Sequence, residues 1–186
     1  MLKLKELRDK INKIDLKILE LLEERAEIVN QVGILKKKNL TPFYIPEREI
    51  EILEKLSSMS KKMHKESIKG IFKEIISGCR ALEKSFSILS FGEKSLFVAL
   101  KIFGNSVNFE FEENDNTLIE KEFLSEINRY KNYDFIILSE DKLEKHLEKN
   151  IILKVETEIF NKEKEYFYVI SFDELYKGVA ICNIKL

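Results

Sequence analysis

From Leu4 to Lys38 the apolar residues Leu4, Leu7, Ile11, Ile14, Ile18, Leu21, Ile28, Val32 and Leu35 recur at three- and four-residue steps. That spacing is the seam of one long helix packed against other helices, so the chain must open as a helical bundle. The step after Leu21 falls on Arg25, which sets a guanidinium where its neighbours bury. A buried charge is costly unless something satisfies it, and no acidic residue lies one turn away on the same stripe. A bound anion would meet that need.

The same helix carries Arg8 and Lys36. Arg25 and Lys36 are close to three whole turns apart, so they share a face about 16 Å apart along the axis and two long side chains can reach toward one small ligand. Arg8 lies about 25 Å from Arg25, too far to touch that ligand within one chain. In an antiparallel pair of such helices, the partner's Arg8 would arrive beside it. For Arg8 and Lys36 a solvated cation is an equally good reading, whereas the seam position of Arg25 favours a function.

Composition narrows the partners. The chain has 186 residues, of which 35% are charged, yet the net charge is only -1. No overall basic field argues for nucleic acid or a membrane surface. Cys79 and Cys182 are far apart, and His64 and His146 have no partners at ligand spacing, so a structural metal is not expected. No apolar run reaches membrane-spanning length, and the opening residues lack an apolar signal core. A soluble cytoplasmic protein with reduced thiols is therefore expected.

The first helix should end near Lys38, ahead of the turn formers Asn39 and Pro42. Pro46 is placed to open a second, short helix with Glu47 and Glu49 in its first turn. After a polar break at residues 57–62, a third helix follows from about His64, with Ile68, Phe72, Ile75, Cys79 and Leu82 among its apolar face. A long helix that overhangs two shorter ones cannot bury its seam within one subunit, which predicts an intertwined homodimer.

An ordered set of motifs carries a resemblance over roughly residues 4–84. Leu7-Arg8-Asp9-Lys10-Ile11 with Asp15, Glu24-Arg25, Val32-Gly33, Lys36, Pro46-Glu47-Arg48-Glu49 and Ser77-Gly78-Cys79-Arg80-Ala81-Leu82-Glu83 resemble the all-helical chorismate mutases. The resemblance implies a three-helix intertwined dimer that converts chorismate to prephenate on the route to phenylalanine and tyrosine. It implies Arg25 and the partner's Arg8 as clamps for the two substrate carboxylates, and Lys36 as donor to the breaking ether oxygen and a carboxylate. Glu49 would hold the ring hydroxyl and Arg48 would line the pocket. Glu83 stands where many relatives have a glutamine on the ether oxygen, Cys79 where many have a serine, and Ile45 where aspartate is frequent. Tyr44 and Phe43 either cap this pocket or pack on a helix.

A pericyclic rearrangement needs no nucleophile, metal or redox cofactor, so no cofactor is expected. Holding a flexible dianion in its compact conformer and placing positive charge near the ether oxygen is enough. Arginines suit carboxylates and a lysine suits the oxygen. A carboxylate cannot donate to an ether oxygen, so Glu83 helps only when protonated or reoriented, and activity is expected to rise as pH falls below neutral. Alternatively Glu83 salt-bridges Lys84 or Arg80 at the helix end.

Beyond Lys84 the pattern changes to strands and helices. Strands are expected at residues 86–91, 107–111, 133–138, 151–159, 165–171 and 179–186, with helices at 96–103, 117–131 and 140–149. Ala81-Leu82-Glu83-Lys84, a strand, then Gly92, Ser95, Ala99-Leu100-Lys101 and Phe103-Gly104 are similar to the start of a prephenate dehydratase domain fused behind a mutase. That family's Gly-Pro-x-Gly-Thr signature is replaced by Leu89-Ser90-Phe91-Gly92-Glu93, and its Thr-Arg-Phe motif is missing. The resemblance therefore implies a shrunken dehydratase relative that has lost its chemistry, with no catalytic residue assigned.

The sequence thus predicts an α + α/β protein: a helical mutase domain over residues 1–84 and a small α/β domain over 85–186. Chorismate mutase, an isomerase, is the expected activity. Isochorismate pyruvate lyase and a non-catalytic regulatory helical dimer are the alternatives, and they are separated by assay with isochorismate and by the five site residues Arg8, Arg25, Lys36, Arg48 and Glu49.

Overall fold

The computed structural model describes residues 2–112, 128–143, 145–160 and 162–186. Three helices come first: α1 (Leu2–Asn39), α2 (Pro46–Met59) and α3 (Lys65–Glu83). Lys36, Lys37 and Lys38 fill the last turn of α1, where positive charge suits the carbonyl end of a helix. The helix stops in a Schellman-type turn. Leu40 takes a left-handed φ of 52°, and the Thr41 amide reaches back to the Lys36 carbonyl at 3.0 Å. Pro46 then opens α2 with Glu47 and Glu49 in its first turn.

Helix α1 has 38 residues and is about 57 Å long, roughly twice α3 and nearly three times α2. Only its C-terminal half meets the other helices closely. Leu4, Leu7, Ile11, Ile14, Ile18 and Leu21 are each 48–64% exposed in the single chain. Among the described residues no helix is long and apolar enough to cross a membrane.

A six-stranded mixed sheet follows, built from β1 (Ser87–Phe91), β2 (Asn108–Glu112), β3 (Phe135–Ser139), β4 (Ile151–Thr157), β5 (Glu165–Ile170) and β6 (Cys182–Lys185), with α4 (Glu93–Phe103) between β1 and β2. The strand order is β2-β1-β3-β5-β4-β6. β1 runs parallel to β2 and β3, β5 is antiparallel to β3 and β4, and β6 is parallel to β4. Alternate side chains of β1 and β3 enter opposite layers, as a pleated strand requires. Ile88, Phe135 and Ile137 pack with Val98, Ala99 and Phe103 of α4, while Leu89, Ile136 and Leu138 join Tyr130, Leu147 and Tyr168 on the other face. The arrangement is the expected α + α/β one.

Two expectations fare differently. The helix over 140–149 does not form: Glu140–Lys142 and Lys145–Asn150 are separate 3-10 turns. Only Leu147 of this stretch is a fully buried apolar side chain, with Leu143 partly buried, so packing offers too little to hold a regular helix. Of the helix expected at 117–131, residues 117–127 lie outside the described residues.

Candidate active site

The close approach of α1 to α3 builds the centre of the site. Gly33 faces the last turn of α3, where a Cβ on it would lie 3.2 Å from Glu83 Cβ and 3.3 Å from Glu83 Cα. A side chain larger than glycine would press on Glu83, which would have to give way by a few tenths of an ångström. One turn on, Lys36 Nζ donates to Glu83 Oε2 at 2.7 Å and to the Phe43 carbonyl at 3.0 Å. Their side chains are 19% and 8% exposed, so the pair is largely withdrawn from water. An ammonium has three protons, which leaves one for a further acceptor.

Glu49, in the first turn of α2, is held by the guanidinium of Arg80 on α3 through a short hydrogen bond from Nη1 to Oε1. Burial pushes the Glu49 carboxyl up from its ordinary range; the charge and hydrogen bond of Arg80 pull the other way, as do Lys36 and Lys73. Arg80 itself is 4% exposed. Its Nη2 donates to the Phe103 carbonyl at 2.7 Å, and its guanidinium sits 5.3–5.5 Å from the ring centres of Tyr44, Phe86 and Phe103.

The remaining predicted residues are distributed as follows. Arg25 is half-buried on α1, and its Nη1 is buried with no hydrogen-bond partner among the described residues. Cys79 is buried and unoxidised on α3, one turn before Glu83 on the same face. Arg8 is exposed on the overhanging half of α1. Arg48 turns to the surface and pairs with Glu51 at 2.7 Å. Lys84 goes to Asp134 at 2.6 Å and Arg80 to Glu49, so neither partners Glu83 here. Tyr44 is not a loop ornament: it is 3% exposed and belongs to the same apolar cluster as Phe86, Phe103 and Phe135.

Arg80 is the residue that reading the sequence for function passed over. It lies four residues after buried Ile76, so it interrupts an apolar helical stripe as Arg25 interrupts its own. The same argument applied to α3 would have singled it out.

The structure thus brings Lys36, Glu83, Arg80 and Glu49 together as two ion pairs, while Arg25, on the same face of α1 by its spacing from Lys36, keeps a buried unfilled donor that suits an anion. Among the described residues, no group of three or more His, Cys, Asp or Glu is placed to hold a metal ion. A separate cleft of about 910 Å3 lies at the ends of β1 and β3 and the start of α4, and none of the predicted site residues lines it.

Residues 7–84 match the family described as chorismate mutase type II. The chain is similar to the bifunctional chorismate mutase/prephenate dehydratase of Aquifex aeolicus, 40% identical over 117 residues that make up 59% of this chain and 32% of the relative. The bifunctional chorismate mutase/prephenate dehydratase of Pseudomonas aeruginosa is 37% identical over 113 residues, 56% of this chain and 31% of that one. The chorismate mutase of Methanocaldococcus jannaschii is 35% identical over 86 residues, which are 45% of this chain and 87% of the relative. The chain thus spans about a third of the length of the bifunctional relatives it matches.

Proposed function

The chain belongs to the chorismate mutase type II family, and from that premise we propose that its helical region is an isomerase that rearranges chorismate to prephenate in aromatic amino-acid biosynthesis. One observation carries the reading: Lys36, fixed by Glu83 and the Phe43 carbonyl, has a proton left for an acceptor on the side of α1 where Arg25 keeps a buried nitrogen without a partner. In this reading Arg25 binds one substrate carboxylate and Arg8 of the partner subunit the other. Lys36 donates to the ether oxygen as the carbon–oxygen bond breaks and charge gathers there. Glu49 accepts from the ring hydroxyl, Arg48 and Cys79 border the pocket, and the substrate supplies all the electrons.

Glu83 has two effects on Lys36. As a carboxylate it orients the ammonium but offsets its charge; as an acid it can donate to the ether oxygen itself. Burial raises the Glu49 carboxyl, so as pH falls Glu49 takes up its proton, can no longer accept, and activity is lost on the acid side.

Residues 1–84 are proposed as the mutase unit, acting in a homodimer, which the exposed apolar stripe of α1 supports. Residues 85–186 are proposed as a non-catalytic α/β unit. The dehydratase activity in the names of the bifunctional relatives is not carried over, because the glycine-rich signature is absent from residues 89–93.

The test is loss of chorismate absorbance, with the product identified by acid conversion to phenylpyruvate, in the wild type and in Arg25→Ala. Turnover by the wild type and a loss of about 100-fold or more in the variant are expected, the scale on which removal of one transition-state partner acts. A folded wild-type dimer that leaves chorismate untouched from pH 5 to 8 would overturn the assignment.

A further inference from the structure

The α/β unit is packed onto the helices through one stripe of α3. Glu74, Ser77 and Arg80 all reach the segment that ends α4. Glu74 accepts from the Asn105 amide at 3.1 Å and from its side chain at 3.0 Å. Ser77, fully buried, accepts from the Ser106 amide at 3.1 Å, and Arg80 takes the Phe103 carbonyl. That carbonyl is one of the orphan acceptors at a helix C-terminus, where a cation is favoured. A second anchor lies at the loop joining α1 to α2: the Tyr44 amide donates to the Tyr176 hydroxyl at 3.0 Å, and the Tyr44 ring lies 4.8 Å from Phe103 and 5.5 Å from Phe135. The neighbouring Phe43 carbonyl is the one that holds Lys36.

Each anchor is therefore one residue away from a proposed substrate-binding group. Phe103 fixes Arg80, and Arg80 fixes Glu49; Tyr176 fixes the loop, and the loop fixes Lys36. We propose that the α/β unit is a working part of the mutase site, with Arg80 and Tyr176 as positioning residues that set Glu49 and Lys36. The inference rests on the mutase reading above and deepens it, giving the second unit a task that needs no chemistry of its own.

Arg80 also controls when Glu49 is charged. The groups facing that carboxyl are Arg80 and Lys73 from α3, Lys36 from α1 and the Tyr44 ring from the connecting loop. Burial favours its neutral form, and Arg80 opposes burial most strongly. Removing the guanidinium while keeping apolar bulk lets burial dominate, so Glu49 takes its proton at higher pH.

The experiment uses the full chain with Arg80→Met, Arg80→Lys and Tyr176→Phe, measuring kcat/KM for chorismate against pH together with thermal stability. Arg80→Met is expected to lose about tenfold or more at neutral pH, the scale on which misplacing a binding group acts. Its acid limb moves to higher pH, and Arg80→Lys, which keeps the charge, recovers part of both effects. Tyr176→Phe is expected to lower kcat/KM several-fold and to move the acid limb less than Arg80→Met does, because it loosens Lys36 and Tyr44 but leaves the Arg80–Glu49 pair in place. A folded Arg80→Met with wild-type kcat/KM and an unshifted limb overturns the proposal. If Arg80→Met does not fold, Arg80→Lys and Tyr176→Phe at wild-type activity overturn it. A wild type inactive on chorismate instead removes the mutase reading. In that case a carbon-13 titration of the Glu49 carboxyl, in the wild type and Arg80→Met, still decides whether Arg80 governs it, and identical titration curves refute that.

Discussion

Gly33 shows how a single hydrogen atom supports a site. Alanine there gains about 1 kcal/mol of helix propensity but meets Glu83 at 3.2–3.3 Å, one of the contacts being backbone, and overpacking of that kind costs about 1–3 kcal/mol. The clash wins. Gly33→Ala is expected to lower the urea midpoint slightly and to reduce kcat/KM much more, because the two helices part where Lys36 must reach Glu83. Glu83→Gln acts in the opposite direction. An amide donates at every pH and removes the charge that offsets Lys36, so kcat/KM at neutral pH should rise. A pH–rate comparison of wild type and variant decides this, and coincident profiles would remove Glu83 from the ether-oxygen role. At this scale the sequence was readable wherever a charge interrupted an apolar stripe, as at Arg25. It was silent on partner choice: that Lys36 takes Glu83 while Arg80 takes Glu49 depends on distances between helices that no spacing along one helix encodes.

Among the elements, the joint between α3 and the end of α4 is the most tightly specified. Gly104 has φ 72° and ψ -167°, a region open essentially to glycine, and a Cβ there would stand 2.7 Å from the Ser77 Cβ. Gly178 also has positive φ, 76°, yet a Cβ on it would meet nothing within 4 Å. Gly104→Ala should therefore lose more than about 2 kcal/mol in chemical denaturation, strain and clash together, whereas Gly178→Ala carries strain alone at about 1 kcal/mol. Equal losses would show that the joint yields easily. The described helices α1 to α4 and strands β1 to β6 were legible from their apolar periods and turn residues. The stretch over 140–149 was not: charge pattern suggested a helix, but two separate 3-10 segments form where, among the described residues, Leu147 is the one fully buried apolar side chain. Strand order was equally hidden, since placing β5 between β3 and β4 is a pairing choice made by the whole sheet.

At the scale of the molecule, the overhanging half of α1 finds no packing partner among the described residues, and an unpacked helix is marginal in water. A charge at the middle of its seam should then cost both assembly and structure. If the proposed dimer forms through this stripe, Ile14→Glu is expected to sediment as a monomer, to lose far-UV helicity over the first turns of α1 and to lose mutase activity with the partner's Arg8; a dimeric, active Ile14→Glu would overturn that dimer. The bond from Tyr44 to Tyr176 joins residues 132 positions apart. Closing so long a loop is slow and late. A chain still on the ribosome, with its three helices already made, therefore lacks the Tyr176 bond to the loop that carries the Phe43 carbonyl, and the proposed site takes its final shape only after residue 176 emerges.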